Sequence, residues 1–205
     1  MAERTNVKAE VAAAARLVAS LTGLPAEVLL AVAIVETNGV AYAEFEGRRE
    51  PLIRFEGHHF DRLLDPARRA RARTAGLADP KVGGVKNPLA QAARWRLLDR
   101  AAAIDPAAAF AATSWGLGQV MGAHWQRLGY ASPEAMAEEA RRSAEGQFAI
   151  MATFLRQNRL DTLLPRGGFA AFARGYNGPA FGRNGYDRKI KAAYAAAGRR
   201  LAQPD

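Results

Sequence analysis

The sequence predicts a mainly α fold with one small β-hairpin, and three observations carry that prediction. Alanine recurs in runs at residues 12–15, 101–103, 107–109 and 195–197, and alanine is the strongest helix former. Apolar residues repeat at helical spacing over several long segments. Only once, between Ala41 and Phe55, do short apolar stretches flank a polar turn, Glu46-Gly47-Arg48-Arg49, in the manner of a hairpin. With 205 residues and no Pro/Gly/Ser-rich linker between similar halves, a single domain over 1–205 is expected.

A first helix is expected from Lys8 to Leu21, ended by Thr22-Gly23-Leu24-Pro25. A second runs from Pro25 to Glu36, with Val28, Leu29, Val32 and Val35 on its apolar face and Asn38-Gly39 as its stop. After the hairpin, Phe60, Leu63 and Leu64 open a helical stretch, and the Arg-rich run 68–73 reads as a solvated helix face. The Gly, Pro and Asp content of 76–88 marks a loop. Further helices are expected at Leu89 to Ile104, Pro106 to Ser114, Ser132 to Asn158 with a break near Ser143, and Asp187 to Leu201. The hairpin is the one β element expected.

Composition narrows the function classes. Lys and Arg outnumber Asp and Glu by 29 to 20, and the formal charge of +9 at pH 7 favours polyanionic partners. Nucleic acid, an anionic membrane and an anionic cell wall all fit; so does a plain solvated surface. Without cysteine there is no disulfide framework, thiol nucleophile or Cys-based metal site. Charges at Glu3, Arg4, Lys8, Glu10 and Arg16 leave no apolar stretch for a signal peptide, and no run approaches a membrane span.

Glu36 is the most informative position. It falls four residues after Val32 and seven after Leu29, which places its carboxyl on the apolar face at the negative end of the helix dipole. Burial and the dipole both favour the neutral acid, as a general acid working near neutral pH requires. The alternative is a Glu that only marks the helix end and points into solvent. Two later segments bear on the choice. Ser114-Trp115-Gly116-Leu117-Gly118-Gln119-Val120-Met121-Gly122 combines glycines, an amide and an aromatic ring, consistent with backbone passing close to a ligand or with a plain turn. Arg174-Gly175-Tyr176-Asn177-Gly178-Pro179 places a ring and an amide in a second sharp turn.

Taken in order, Val35-Glu36-Thr37-Asn38-Gly39, Gly116 to Met121 and Gly175-Tyr176-Asn177-Gly178 resemble the three motifs of the lysozyme-like superfamily, which includes goose-type lysozymes and soluble lytic transglycosylases. The segment Phe55-Glu56-Gly57-His58-His59-Phe60 narrows the resemblance to the N-acetylmuramidase family of phage endolysins, over about 24–194. The resemblance implies a lysozyme-like helical domain that hydrolyses the β-1,4 bond between N-acetylmuramic acid and N-acetylglucosamine. Glu36 then corresponds to the general acid and Glu56 to the second carboxylate, as base or stabiliser. Gln119 and Asn177 would bind sugar hydroxyl and acetamido groups, Tyr176 would pack on a sugar ring, and His59 and Trp115 would complete the substrate-binding set. Glu56 paired with Arg54 or Arg62 to brace the hairpin is the bland alternative.

His58 and His59 stand side by side, but neither their spacing nor that of His124 matches a zinc pattern, so no metal is expected and no cofactor is implied. The expected partner is bacterial peptidoglycan, with electrostatic contact to an anionic envelope, no nucleic acid, and a monomeric enzyme. Without a signal peptide the protein is expected to be made in the cytoplasm and to act on the wall after release. No separate wall-binding module is expected, the positive charge taking its place. The rival readings are a lytic transglycosylase and a non-catalytic wall-binding protein.

Overall fold

In the computed structural model, which describes residues 7–203, helices α1 (Ala9–Thr22) and α2 (Ala26–Thr37) precede strands β1 (Tyr42–Phe45), β2 (Arg48–Pro51) and β3 (Ile53–Phe55). Then come α3 (Gly57–Leu63), α4 (Pro66–Thr74), α5 (Gln91–Ala102), α6 (Pro106–Ala111), β4 (Thr113–Trp115) and β5 (Val120–Met121). The chain closes with α7 (Pro133–Arg142), α8 (Ala144–Gln157), α9 (Phe169–Asn177) and α10 (Tyr186–Leu201). The expected class, mainly α with a β-hairpin, is the one observed. Two compact units divide these elements: among the described residues, one holds α1, α2, α8, α9 and α10, the other the elements of Tyr42–Arg142.

The first unit is all helical. Helix α2 is buried at every residue from Val28 to Ile34, so it has no single apolar face as the sequence reading expected; it is an all-round apolar core helix. Its main neighbour is α10, which lays Tyr186, Ile190, Ala193 and Ala197 along one buried stripe. Helix α1 packs on both α2 and α8, its alanines letting the backbones approach. The stop of α2 is as read from sequence. Asn38 is left-handed (φ 54°) and Gly39 (φ 71°) donates back to the Ala33 carbonyl at 3.0 Å. A Cβ on Gly39 would lie 2.8 Å from Val7, so both conformation and space require glycine there.

The second unit builds on two small sheets. Strands β1 and β2 form the expected hairpin, with Phe45 opposite Arg48 and a two-residue turn of Glu46 (φ 49°) and Gly47 (φ 73°). A three-stranded antiparallel sheet β3-β4-β5 was not expected. Its strands hold three residues or fewer, too few for an alternating pattern to show. The helix read as running to Ser114 ends at Ala111, where β-branched Thr113 begins β4. Trp95, Trp115, Phe45 and Phe110 form a chain of ring contacts at 5.4–6.1 Å in the core. Over it, Arg141 lies 4.9 Å from the Trp95 ring and donates at 2.8 Å to buried Glu50.

Helix starts follow sequence. Asp65-Pro66 and Asp105-Pro106 each place a capping carboxylate before a proline in the first turn, accepting at 2.9 Å from Arg68 N–H and Ala108 N–H. Ser143 does the same for Gly146 N–H at 3.1 Å, which is why the long helical stretch breaks there into α7 and α8.

Candidate active site

In the first unit, Glu36 sits in the last turn of α2, two residues before the left-handed cap. Its carboxyl is partly exposed at the end of a buried helix. Burial raises its pKa above the ordinary carboxyl value, while a hydrogen bond from Tyr186 and the charge of Lys189 act against that rise. The Tyr186 hydroxyl donates to Glu36 Oε1 at 2.6 Å. Sequence reasoning missed Tyr186, although a signal existed. It is the polar member of the stripe it shares with Ile190, Ala193 and Ala197, and a buried tyrosine hydroxyl needs a hydrogen-bond partner.

Tyr176 and Asn177 belong to the last turn of α9, not to a sharp loop as expected; only Gly178 (φ 83°) and Pro179 make the turn. Tyr176 is stacked on Phe172 at 5.4 Å and faces Tyr186 at 6.3 Å, with the Phe154 ring edge-on at 5.5 Å. Phe172 and Tyr176 are four apart on one helix, which sets up the first of these contacts. Three protein rings therefore pack against Tyr176. Burial lifts its hydroxyl pKa well above the ordinary value, and the neighbouring Glu36 charge adds to this. Asn177 is exposed, and its side-chain amide lies 3.4 Å from Asn184 Oδ1.

In the second unit, Glu56 follows β3 and precedes α3. Its Oε1 accepts from Arg54 Nε at 2.7 Å, the bracing pair named from sequence, and Oε2 lies 3.5 Å from His58 Nδ1. His58 Nδ1 is buried without a hydrogen bond. The His58 and His59 rings are 4.4 Å apart. Arg62 Nη2 approaches His59 Nδ1 at 3.3 Å, and since arginine has only donors, that nitrogen accepts and Nε2 carries the proton. Burial, then the neighbouring His58 and Arg62 charges, hold the His59 pKa below its ordinary value, with Glu56 opposing. Among the described residues no group of three or more His, Cys, Asp or Glu side chains is arranged to hold a metal ion.

Two expected substrate groups have structural duties here. Trp115 is 2% exposed and donates to the Phe110 carbonyl at 3.2 Å, so it is a core residue and not a sugar platform. Its place in β4 opposite Ile53 turns the ring inward. Gln119 adopts a left-handed conformation (φ 46°) in the turn joining β4 to β5, and its side-chain amide donates to the carbonyls of Leu52 (3.1 Å) and Gly116 (2.9 Å). The segment 116–119 is therefore a hairpin turn tied to the chain before β3. Gly122 follows, where a Cβ would lie 2.1 Å from the Phe110 carbonyl oxygen.

A profile of the N-acetylmuramidase family matches residues 25–198. Among solved structures, the crystal structure of the Burkholderia AP3 phage endolysin aligns with a TM-score of 0.75 at 32% identity, covering 92% of this chain and 71% of that one. No curated protein matches.

Proposed function

The chain belongs to the N-acetylmuramidase family, a glycoside hydrolase of the peptidoglycan-cleaving endolysin kind, and from that premise we propose how its residues divide the reaction. Glu36 is the general acid: it protonates the glycosidic oxygen as the bond between N-acetylmuramic acid and N-acetylglucosamine breaks. The observation that carries this reading is a carboxyl at the end of a buried helix whose burial favours the protonated form.

Glu56 is the second carboxylate. It activates the attacking water or stabilises the positive charge that develops at the anomeric carbon. Its pairing with Arg54 occupies one oxygen and leaves the other toward His58. Exposed Asn177 binds substrate through its amide, and His59 offers a neutral Nε2–H to a sugar oxygen. The net charge of +9 supports contact with an anionic envelope. None of the described helices is long and apolar enough to cross a membrane.

Mass spectrometry of digested wall glycans tests the reading. Hydrolysis through Glu56 gives reducing-end muramic acid as the main product, with Glu56→Gln strongly impaired. Mainly 1,6-anhydromuramic ends would mean that the muramic 6-hydroxyl attacks in place of water, and normal hydrolysis by Glu56→Gln would remove Glu56 from the mechanism.

A further inference from the structure

We propose that Tyr186 is the positioning residue of the catalytic acid: its hydroxyl holds Oε1 of Glu36, leaving Oε2 as the oxygen that delivers the proton. The inference rests on the reading of Glu36 as general acid. The hydroxyl lies 2.6 Å from Oε1, the length of a strong hydrogen bond to a carboxylate. Tyr186 itself is 4% exposed and held against Tyr176, which in turn stacks on Phe172. Gly185 (φ 63°) lets α10 start abruptly at this residue, and α10 is the main packing partner of α2. The donor is thus fixed by a ring stack and by helix packing.

The chemistry follows from which groups face the carboxyl. A tyrosine hydroxyl that donates to Oε1 confines the acid proton to Oε2 and fixes the carboxyl plane. When that proton moves to the glycosidic oxygen, the new carboxylate keeps the Tyr186 bond, now to a charged acceptor and therefore stronger. Tyr186 keeps its own proton throughout, because burial and then the Glu36 and Tyr176 charges push its pKa far above any working pH. Of the elements around α2, α10 brings Tyr186 and Lys189 to the carboxyl and α9 brings Tyr176. Among the described residues, α1 and α8 bring no ionisable group that shifts it. Burial raises the Glu36 pKa, and Tyr186 and Lys189 oppose that rise, Tyr186 from a buried site and Lys189 from an exposed one.

The test is the pH dependence of kcat/KM for wall lysis by the wild type, Tyr186→Phe, Lys189→Met and Glu36→Gln. The alkaline limb reports ionisation of the acid in the free enzyme. Tyr186→Phe keeps the ring stack and removes the donor, so the limb is expected to move up by about one to two pH units while the plateau falls. Lys189→Met moves it the same way by less, and that smaller effect fades with salt, as expected of an exposed charge. In the wild type, the Cζ resonance of 13C-labelled Tyr186 is expected to titrate at the pH of the kinetic limb and to be flat in Glu36→Gln. This measurement does not depend on the Phe variant folding. An unmoved limb in folded Tyr186→Phe, or a Tyr186 resonance blind to the limb, overturns the proposal while Glu36→Gln remains inactive. Lysis by Glu36→Gln would instead overturn the reading on which it rests.

Discussion

Replacing Gln119 separates two duties that one amide cannot fully serve at once. In the structure its NH2 group makes two neutral hydrogen bonds, to Leu52 and Gly116 carbonyls, from a residue held at φ 46°. Neutral hydrogen bonds are worth about 0.5–1.5 kcal/mol each, so Gln119→Ala should lose about 2 kcal/mol while keeping the left-handed strain. Gln119→Gly loses the same bonds but relieves about 1–2 kcal/mol of strain, offset by about 0.5–1 kcal/mol of extra backbone freedom in the unfolded chain. It should therefore be destabilised by only about 1 kcal/mol. For a chain of this size 1 kcal/mol moves the midpoint by about 2–4 °C, so thermal unfolding should fall by about 4–8 °C for Ala and about half that for Gly. If both variants unfold with the wild type but bind wall fragments less well, the amide is a sugar ligand and the bracing argument is refuted.

Three further outcomes are expected. Glu36→Gln should be more stable than wild type at about pH 8 and not at about pH 4: the native state holds the Glu36 proton more tightly than the unfolded chain, so wild-type stability falls as pH rises from the ordinary carboxyl value through the raised one. Urea unfolding at both pH values checks this, and a difference independent of pH would contradict it. Gly122→Ala forces the Phe110 carbonyl away from a Cβ that would sit 2.1 Å from it, and should cost about 1–3 kcal/mol in thermal unfolding; an unchanged midpoint would mean that β5 shifts freely. Sedimentation with purified walls should show binding that weakens between about 0.1 M and 1 M salt, as the screening length drops from about 10 Å to about 3 Å; constant binding would make the +9 charge a bystander.

Much of this molecule was legible because its signals are local. The break at Ser143, the Asn38-Gly39 stop and the Glu46-Gly47 turn each depend on one or two residues whose chemistry admits few alternatives. Glu36 was legible as a carboxyl at the end of an apolar helix, although that helix proved apolar all round instead of on one face. What could not be read depends on contacts between distant segments. Strands β4 and β5 are too short to show a period; β4 exists because Thr113 to Trp115 pair with Ile53 to Phe55, and β5 because it pairs with β4. The burial of Trp115 and the engagement of Gln119 follow from that same pairing, which is why both looked like ligand groups in sequence. Tyr186 lies 150 residues from Glu36, and only the packing of α10 on α2 joins them. Helix α9 was hidden by its own Gly175 and by the glycine and proline that follow it, which made its last turn read as a loop.

The central claim is that Glu36 supplies the proton that breaks the glycan strand. Turbidity loss of purified walls under Glu36→Gln tests it most directly, because the amide keeps the shape and the acceptor oxygen for Tyr186 but has no transferable proton. General acid catalysis is worth about 10²–10⁴-fold, so lysis should fall by that range in a protein that unfolds no earlier than the wild type. A folded Glu36→Gln protein that keeps more than about a tenth of wild-type lysis would contradict the account.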